Sequence, residues 1–428
     1  MLGGAVLIPE MMDPAAQKAV QGALQRFYAS EHMSDIWPST DGNESHPPLD
    51  QIEIMVLPLD RIGAPAGASG ASVFVAYYRH KSSDASQRVP SQPLVVKIGE
   101  VGKLQKEKDG ADAWPPLSLH QKYRFAFPLY LDSVDGEHAI LLAPFHSRSE
   151  PEQSGNRNEV QVRDLWRLLD DKNELRTGEA FEWATITRLV SQALDAIRPA
   201  HRGGRAEPHS AEFDYASQYV RYLRKTTDEG TKSARYIPSS IFGDGPRTAA
   251  FGLEWPNPSL VVRRILDPGL RCTGYLGAVH GDLHPKNIVL DSFDSAQIID
   301  FGWATVGRHI VLDYVLLDLN LRGVTLPSQV SEQDIVQLAG FLDDDADVAG
   351  LPAAVRERAR IIREVIWKKA RAHAIVADWE REYLIPLFLV GYGLLVHLDS
   401  ARNQPALVAT MLQLAKRLET IVAPDLTA

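Results

Sequence analysis

Residues 279–290 decide the fold, and they run Val279-His280-Gly281-Asp282-Leu283-His284-Pro285-Lys286-Asn287-Ile288-Val289-Leu290. A second stretch, residues 298–302, follows with the sequence Ile298-Ile299-Asp300-Phe301-Gly302. The side chains of Asp282, Asn287 and Asp300 stand beside or within apolar runs, where an unpaired charge is costly. Pro285 lacks a backbone N–H and disfavours helix before it, so residues 282–287 are predicted to form an irregular loop.

The residues after this loop predict a β-hairpin. Residues 288–290 and 297–299 are apolar enough for two short strands, and the polar residues 291–295 between them indicate a turn. A hairpin of this length is expected to bring Asp300 back next to Asn287. A carboxylate base, Asp282, would then meet two hard oxygen ligands, which is the arrangement that Mg²⁺-assisted phosphoryl transfer needs.

The motif His-Gly-Asp-Leu-His-Pro-Lys-Asn, followed by Ile-Asp-Phe-Gly, resembles the catalytic loop and metal-binding motif of the aminoglycoside phosphotransferase and choline kinase group. This group is a branch of the protein-kinase-like fold. The resemblance implies that Asp282 is the catalytic base and that Asn287 and Asp300 bind the metal. It also implies that His280, in the place of the first residue of the kinase His-Arg-Asp triplet, supports the loop.

The continuation at residues 307–314, Gly-Arg-His-Ile-Val-Leu-Asp-Tyr, is more similar to a bacterial subgroup, the ternary-complex-associated phosphotransferase-like domains. In related kinases an aspartate near this point braces the backbone of the catalytic loop. The resemblance therefore makes Asp313 the candidate for that role. For His284 a structural role in the loop and a ligand contact are both open, and Lys286 is either a phosphate contact or a solvated lysine.

The resemblance implies an α+β, bilobal protein-kinase-like fold, with a small sheet-rich N-lobe and a larger, mainly helical C-lobe. ATP and Mg²⁺ are expected between the lobes. We predict an N-terminal extension with one helix over residues 1–50, a nucleotide-binding N-lobe over 51–146, and a C-lobe over 147–428. Residues 199–275 are predicted to be a helical insertion near the acceptor site, although an insertion without function is the alternative.

A loop of small residues, 63–72, separates two predicted strands of the N-lobe. Small side chains let backbone N–H groups approach a phosphate, and Ser69, Gly70 and Ser72 are the candidate contacts. A flexible hairpin turn is the alternative interpretation. The loop differs from the protein-kinase Gly-x-Gly-x-x-Gly, and the chain has no Walker A motif, which argues against a P-loop enzyme.

Lys97 ends the apolar strand Pro-Leu-Val-Val-Lys-Ile at residues 93–98. This is the position of the kinase lysine that holds the α- and β-phosphates, whereas an isolated edge-strand lysine would carry no function. Its partner should be a glutamate on the next helix. Glu107 is the candidate, with Glu100 as the second choice. The following strand pair is expected to lead, over residues 142–145, into the hinge whose backbone faces the adenine.

Composition bounds the remaining possibilities. The 428 residues carry a net charge of −10, which argues against a nucleic-acid binder because such proteins cluster Lys and Arg. A single cysteine, Cys272, cannot form an intrachain disulfide, so the cytoplasm is the expected location. The N-terminus lacks the basic region of a signal peptide. No membrane contact is expected, because the apolar run at residues 383–398 is interrupted by Pro, Gly and His and suits a buried core helix.

Apolar spacing predicts several helices around this centre, among them one at residues 13–28 and one at 211–224. Within a further helix at 353–379, an apolar stripe is expected to pack in the core. Its basic residues are expected to form a solvated face or a partner site, and they are Arg356, Arg358, Lys368 and Lys369. The N-terminal extension and the C-terminal helices are the surfaces expected for any protein partner.

The function that the resemblance implies is ATP- and Mg²⁺-dependent phosphorylation of a hydroxyl on a small molecule. Asp282 would accept the proton, Asn287 and Asp300 would hold Mg²⁺, and Lys97, held by Glu107, would bind the nontransferred phosphates. The alternative is a catalytically weak or inactive kinase-like module that binds nucleotide for regulation or as a scaffold. A third hypothesis is transfer to a protein, or transfer of a nucleotidyl group.

Overall fold

The computed structural model describes residues 5–7, 12–36, 48–60, 71–80, 93–145, 160–161, 163–169, 183–203, 205, 208–223, 239–266, 270–291, 293–343 and 346–422. The chain divides into two compact units. Unit 1 comprises Met1–Trp114, Ser118–Asp164 and Val289–Ala304. Unit 2 comprises Pro115–Leu117, Leu165–Ile288 and Thr305–Ala428.

The strands of the described residues are, in chain order, β1 (Ala5–Leu7), β2 (Ile52–Asp60), β3 (Ser72–His80), β4 (Leu94–Glu100), β5 (Tyr130–Ser133), β6 (His138–Pro144), β7 (Val160–Gln161), β8 (His209–Asp214), β9 (Arg247–Ala250), β10 (Leu253–Pro256), β11 (Arg271–Val279), β12 (Ile288–Leu290), β13 (Ala296–Ile298) and β14 (Thr305–His309).

The α-helices are α1 (Pro14–Tyr28), α2 (Val101–Asp112), α3 (Leu119–Lys122), α4 (Leu165–Leu169), α5 (Trp183–Arg202), α6 (Tyr215–Tyr219), α7 (Ser239–Phe242), α8 (Pro258–Leu266), α9 (Leu312–Leu319), α10 (Glu332–Ala339), α11 (Ala353–Ile361), α12 (Lys368–His373), α13 (Ile385–Leu394) and α14 (Gln404–Val422). Three π-helical segments continue or precede these helices, at Asn320–Val324, Ile362–Trp367 and Glu380–Leu384. Short 3₁₀ turns include Val220–Tyr222 and Pro285–Asn287.

Unit 1 is built on a seven-stranded sheet with the order β1-β2-β3-β4-β6-β5, to which β7 adds beside β2. The central pairs from β2 to β5 are antiparallel, whereas β1 and β7 are parallel to β2. Side chains alternate between the two faces, so one face buries Ile54, Tyr78 and Val96 and the other carries Val75 and Lys97. This alternation decides which helix Lys97 can reach.

Helix α1 covers the first face of this sheet. Asp13 caps the helix by accepting hydrogen bonds from the N–H groups of Ala15 and Ala16, and Pro14 occupies its first turn. Leu24 and Phe27 are fully buried against the sheet, and the Tyr78 hydroxyl donates to the Leu24 carbonyl at 2.9 Å. The predicted N-terminal helix is therefore present, and its apolar stripe is part of the core of unit 1.

Unit 2 is mainly helical around a three-stranded antiparallel sheet with the order β14-β11-β8. The sequence prediction of a helix at residues 211–224 was wrong for residues 211–214. Residues 209–214 form β8 because they pair with β11, and Asp214 then caps α6 by accepting from the Ser217 N–H at 2.7 Å. The segment 199–275 thus holds strands as well as helices.

Arg358 also departs from the sequence prediction, which placed it on a solvated basic face. Its side chain is fully buried, and its guanidinium donates to the carbonyls of Leu321 and Thr325 at 3.1 Å each and to the Thr325 hydroxyl at 2.9 Å. Carbonyl oxygens at a helix end lack partners within the helix. Arg358 is buried because it supplies those missing donors.

The apolar segment Glu380–Ser400 is long and apolar enough to cross a membrane, judged by length and composition only. However, 67% of its apolar window is buried inside the structure. Every residue from Ile385 to Gly393 is buried, and the Cβ of any larger residue at Gly391 would lie 2.3 Å from the Met411 methyl group. The segment is the core helix of unit 2, as its interrupted sequence predicts.

Candidate active site

The catalytic-loop motif in unit 2 forms a compact, internally bonded loop. His284 begins the 3₁₀ turn Pro285–Asn287, and its Nδ1 accepts from the Lys286 N–H at 3.2 Å. The Asn287 side-chain nitrogen donates to the Asp282 carbonyl at 2.9 Å. These bonds fix the backbone on both sides of the turn, which is the irregular loop that Pro285 predicts.

Asp282 differs from its neighbours because its carboxylate stays accessible, with 34% of the side chain exposed. The residues on either side, Gly281 and Leu283, are buried. His284 Nε2 lies 3.6 Å from Asp282 Oδ2, so the imidazole stands beside the carboxylate as well as capping the turn. An accessible carboxylate on a fixed backbone is the form that a general base requires.

Asp313, at the start of α9, braces this loop from below. Its Oδ2 accepts from the His280 N–H at 3.0 Å and its Oδ1 from the Gly281 N–H at 2.9 Å. The side chains of Asp313 and His280 are fully buried. The structure therefore brings together the two residues predicted to support the loop, and Asp313 contacts the loop through backbone N–H groups.

A third member of this brace, His201, was missed by the sequence analysis. It ends α5, and its Nε2 donates to Asp313 Oδ2 at 2.9 Å inside the core. Burial alone would raise the pKa of Asp313. The hydrogen bond and charge of His201 and the hydrogen bond from the Gly281 N–H favour the carboxylate more strongly, so the pKa of Asp313 is lowered. No local pattern could have shown this, since 112 residues separate the two side chains.

Unit 1 contains the predicted lysine–glutamate pair. Lys97 Nζ lies 2.6 Å from Glu107 Oε1, and both side chains are about nine-tenths buried. The alternative partner, Glu100, is exposed and pairs with Lys103 at 3.0 Å instead. Lys97 lies on the sheet face against which α2 packs through Leu104. Glu107 on α2, rather than Glu100, is therefore the glutamate within reach of Lys97.

Asp300 lies in a tight turn that directly follows β13. Its backbone φ is +66°, in the left-handed region that costs a non-glycine residue energy, and its Oδ1 accepts from the Gly302 N–H at 3.3 Å. Strain of this kind persists only where surrounding structure imposes it. The imposing contact is made by the next residue, Phe301.

Phe301 is fully buried in an aromatic cluster of unit 1. Its ring centroid lies 4.7 Å from that of Phe127 and 5.5 Å from that of Trp114, which packs edge-on. Helix α2 passes directly over this turn, since a Cβ at Gly110 would lie 2.3 Å from the Phe301 carbonyl oxygen. Helix α2 thus touches both the Asp300 turn and, through Glu107, Lys97.

The remaining predicted contacts belong to the small-residue loop. Ser69 and Gly70 lie outside the described residues. Ser72 begins β3, where it pairs with Ile98 and is exposed. Its role in binding phosphate stays a prediction, as does the hinge role of residues 142–145, which form the end of β6 and the following residue.

The residues predicted to bind Mg²⁺ have suitable chemistry. Because the Asn287 nitrogen is used by the Asp282 carbonyl, the amide oxygen is the atom left for a cation. Within the described part of the chain, no group of three or more His, Cys, Asp or Glu side chains is placed to hold a metal. This donor set fits Mg²⁺ shared with nucleotide phosphates and waters better than a protein-only cage. Asn287 and Asp300 belong to different units, and their joint geometry stays a prediction.

Among solved structures, the chain is similar to a thermostable mutant of aminoglycoside phosphotransferase APH(4)-Ia in ternary complex with AMP-PNP and hygromycin B. The identity is 12%, the match covers 86% of this chain and 93% of that chain, and the TM-score is 0.39. A thermostable mutant of the same phosphotransferase in its apo form is 12% identical over 86% of this chain and 95% of that chain, with a TM-score of 0.36. The BubR1 kinase domain is 12% identical over 97% of this chain and 98% of that chain, with a TM-score of 0.28.

A search of curated proteins finds no matching sequence. A family model does match, and it covers the region that contains the catalytic loop, Asp300 and Asp313. The α+β architecture is the predicted one, with an antiparallel sheet toward the N-terminus and a mainly helical C-terminal part. Residues 197–395 match the family described as ternary complex associated domain 9, which confirms the resemblance that the residues at 307–314 indicated.

Proposed function

We propose that this protein is an ATP- and Mg²⁺-dependent phosphotransferase that acts on a hydroxyl of a small molecule. The observation that carries the proposal is the contrast at the catalytic loop between an accessible Asp282 carboxylate and the buried, hydrogen-bonded backbone of His280 and Gly281 before it. A structural aspartate in such a loop would use its carboxylate to bond the loop. Here Asp313 and Asn287 do that, which leaves Asp282 for chemistry.

The reaction follows from this arrangement. The acceptor hydroxyl gives its proton to the Asp282 carboxylate, and its oxygen forms a bond to the γ-phosphorus of ATP. The bond between that phosphorus and the β–γ bridging oxygen breaks, and ADP leaves. Mg²⁺, when bound, would neutralise charge on the phosphates, and Asn287 and Asp300 are the residues that would hold it.

The Lys97–Glu107 pair supports the nucleotide half of the proposal. A buried ion pair contributes little net stability, because desolvating both charges offsets their attraction. A role in binding therefore explains this buried pair better than a role in stability does. Glu107 would hold the ammonium where it meets the α- and β-phosphates. We place the activity in the cytoplasm, where a lone, buried Cys272 is in keeping with reducing conditions.

The test is a thermal-shift titration of the full chain with ATP, GTP and ADP, with and without Mg²⁺. Wild type should be stabilised by Mg–ATP, because a ligand that binds only the native state raises its stability. Asp300→Ala should lose that shift. Asp282→Asn should keep it but lose turnover, measured as ADP release on a panel of hydroxyl compounds, by roughly 10²–10⁴-fold.

The exposed Asp399 provides the matched control, since Asp399→Asn removes a carboxylate of the same type away from the loop. Its Mg–ATP shift and turnover should equal those of wild type. Mg–ATP binding with no turnover, unchanged in Asp282→Asn, would instead support the non-catalytic regulatory or scaffold module. The mass added to a modified product separates phosphoryl from nucleotidyl transfer.

A further inference from the structure

Two arginines of unit 2 lie on adjacent segments close to the catalytic loop. The segment formed by α6 and the 3₁₀ turn Val220–Tyr222 packs along β14. Arg308 Nη1 donates to the Ser217 carbonyl at 2.5 Å, and the His309 N–H donates to Gln218 Oε1 at 3.1 Å. These contacts bring Arg308 on β14 alongside the turn that carries Arg221.

Arg221 is connected to the residue that precedes the base. Its Nη2 donates to the Tyr222 hydroxyl at 2.6 Å, and that hydroxyl donates to the Gly281 carbonyl at 3.0 Å. The guanidinium is thus two hydrogen bonds away from the backbone next to Asp282. Tyr222 is fixed from the other side as well, because a Cβ at Gly393 would lie 2.4 Å from its carbonyl oxygen.

The two guanidinium groups of this cluster carry like charges that act on each other. Burial lowers the pKa of Arg308, and the like charge of Arg221 lowers it further. Within the described part of the chain, the hydrogen-bond acceptor of Arg308 is a neutral carbonyl, and no carboxylate lies within ion-pair distance of it. Two half-buried cations that repel each other are stabilised when an anion binds between them.

We infer that the acceptor carries an anionic group, a phosphate or a carboxylate, which Arg221 and Arg308 bind while the acceptor hydroxyl meets Asp282. The inference rests on the proposed phosphotransferase function and names its substrate class. Guanidinium groups match both anions because their planar fork can donate two parallel hydrogen bonds. A polycationic acceptor is disfavoured at the same place by like-charge repulsion.

The experiment compares matched small probes on the full chain. Glycerol 3-phosphate, glycerate, glycerol and choline differ in the charge that accompanies the hydroxyl. Binding is measured by calorimetry and ADP release is measured with Mg–ATP. The proteins are wild type, Arg221→Gln, Arg308→Gln, Arg308→Lys and the control Arg271→Gln, whose arginine is exposed on β11 and pairs with Glu212 at 3.3 Å.

We expect glycerol 3-phosphate, glycerate or both to bind wild type and to stimulate ADP release, and glycerol and choline to do neither. Comparison of the two anions identifies the preferred group. Arg221→Gln and Arg308→Gln should each bind the anion at least tenfold more weakly than wild type. The anion affinity of Arg308→Lys should lie between those of wild type and Arg308→Gln, and that of Arg271→Gln should equal that of wild type. Mg–ATP affinity should stay unchanged in all of them, because the arginines serve the acceptor.

Three results would overturn the inference. The first is that the charged probes bind no better than glycerol, and the second is that they bind equally well to wild type and to the glutamine variants. The third is a loss of Mg–ATP affinity in the glutamine variants, which would assign the arginines to the nucleotide. Failure of the proposed function has a different signature. The arginines would then bind the anion without any ADP release, or Mg–ATP would not raise the thermal stability of wild type in a way that Asp300→Ala abolishes.

Discussion

The two carboxylates proposed for catalysis are held in contrasting ways. In unit 2, the loop of Asp282 is held by polar contacts, in which buried Asp313 accepts hydrogen bonds from the His280 and Gly281 N–H groups and from His201. In unit 1, the turn of Asp300 is held by apolar contacts, through Phe301 and its aromatic neighbours. The Asp282 loop is thus held by charged hydrogen bonds, and the Asp300 turn is held by apolar packing.

The two loops that carry these proposed catalytic residues are therefore expected to respond differently, one to pH and the other to packing. Polar bracing fails when a proton arrives or a donor loses its acceptor. Apolar bracing fails when a cavity opens. Variants that remove one type of support should therefore leave the response of the other loop unchanged.

The largest effect is expected from opening the aromatic cluster. Phe301→Ala should lower the free energy of unfolding by about 3–5 kcal/mol, because a fully buried ring is lost and leaves a cavity. Urea unfolding followed by tryptophan fluorescence measures this. Phe293→Ala is the control, since Phe293 in the neighbouring hairpin turn is 83% exposed and should change little. Equal losses in both variants would contradict a packing role.

Removing the charge of the polar brace should come next. Asp313→Asn should cost about 3 kcal/mol, because charge-assisted bonds to buried donors weaken and the new amide N–H₂ faces donors. The lowered pKa of Asp313 adds stability above its unfolded pKa that is lost as pH falls through the folded value. The free energy of unfolding of the variant should therefore fall less steeply at acid pH than that of wild type. An unchanged pH dependence would refute this role. Asp399→Asn is the exposed control.

His309 should add to this sensitivity to acid. Burial lowers its pKa from 6.5 to about 3, and its Nδ1 lies 2.6 Å from the Tyr219 hydroxyl. The unfolded chain binds the proton first, so stability falls as pH drops from 6.5 toward 3. The loss should reach about 2 kcal/mol at pH 5. His309→Asn should remove that part of the slope in urea titrations at pH 7 and 5, while Phe301→Ala should keep it.

The smallest effect concerns the strained turn itself. Asp300→Gly and Asp300→Ala both remove the carboxylate, but only glycine adopts a φ of +66° without steric cost. Glycine should therefore be the more stable of the two by about 1 kcal/mol, the reverse of its usual rank below alanine. Thermal unfolding of the pair measures it directly. A more stable alanine variant would show that the turn relaxes freely.

Features set by neighbours in sequence could be predicted well. Pro285 fixed the expectation of an irregular loop, and the hairpin predicted after it is present, with β12 at the predicted residues and β13 at Ala296–Ile298 rather than 297–299. Asp291 makes that turn by accepting from the Phe293 and Ser295 N–H groups at 2.8 Å each. The Lys97–Glu107 pair also followed, because a strand passing straight into a helix determines the distance between their ends.

Features set by distant chain segments could not be predicted. His201 reaches Asp313, and Tyr222 reaches Gly281, across long stretches of chain, and β8 pairs with β11 where the start of a helix was expected. Apolar spacing reports which face is buried and is silent about long-range pairing. Arg358 shows the same limit, because its burial depends on carbonyls of a helix end that lies 33 residues away at Thr325.

The three π-helical segments converge on one buried carboxylate. Asp318 accepts from Arg322 in the first, Trp367 in the second and Tyr383 in the third, at 2.8, 2.7 and 3.0 Å. A π turn holds one residue more than an α turn. When relatives of this chain are aligned, single-residue gaps in the middle of helices are therefore to be expected at these places. A relative that lacks the extra residue of a π turn is expected to have another residue in place of Asp318 as well.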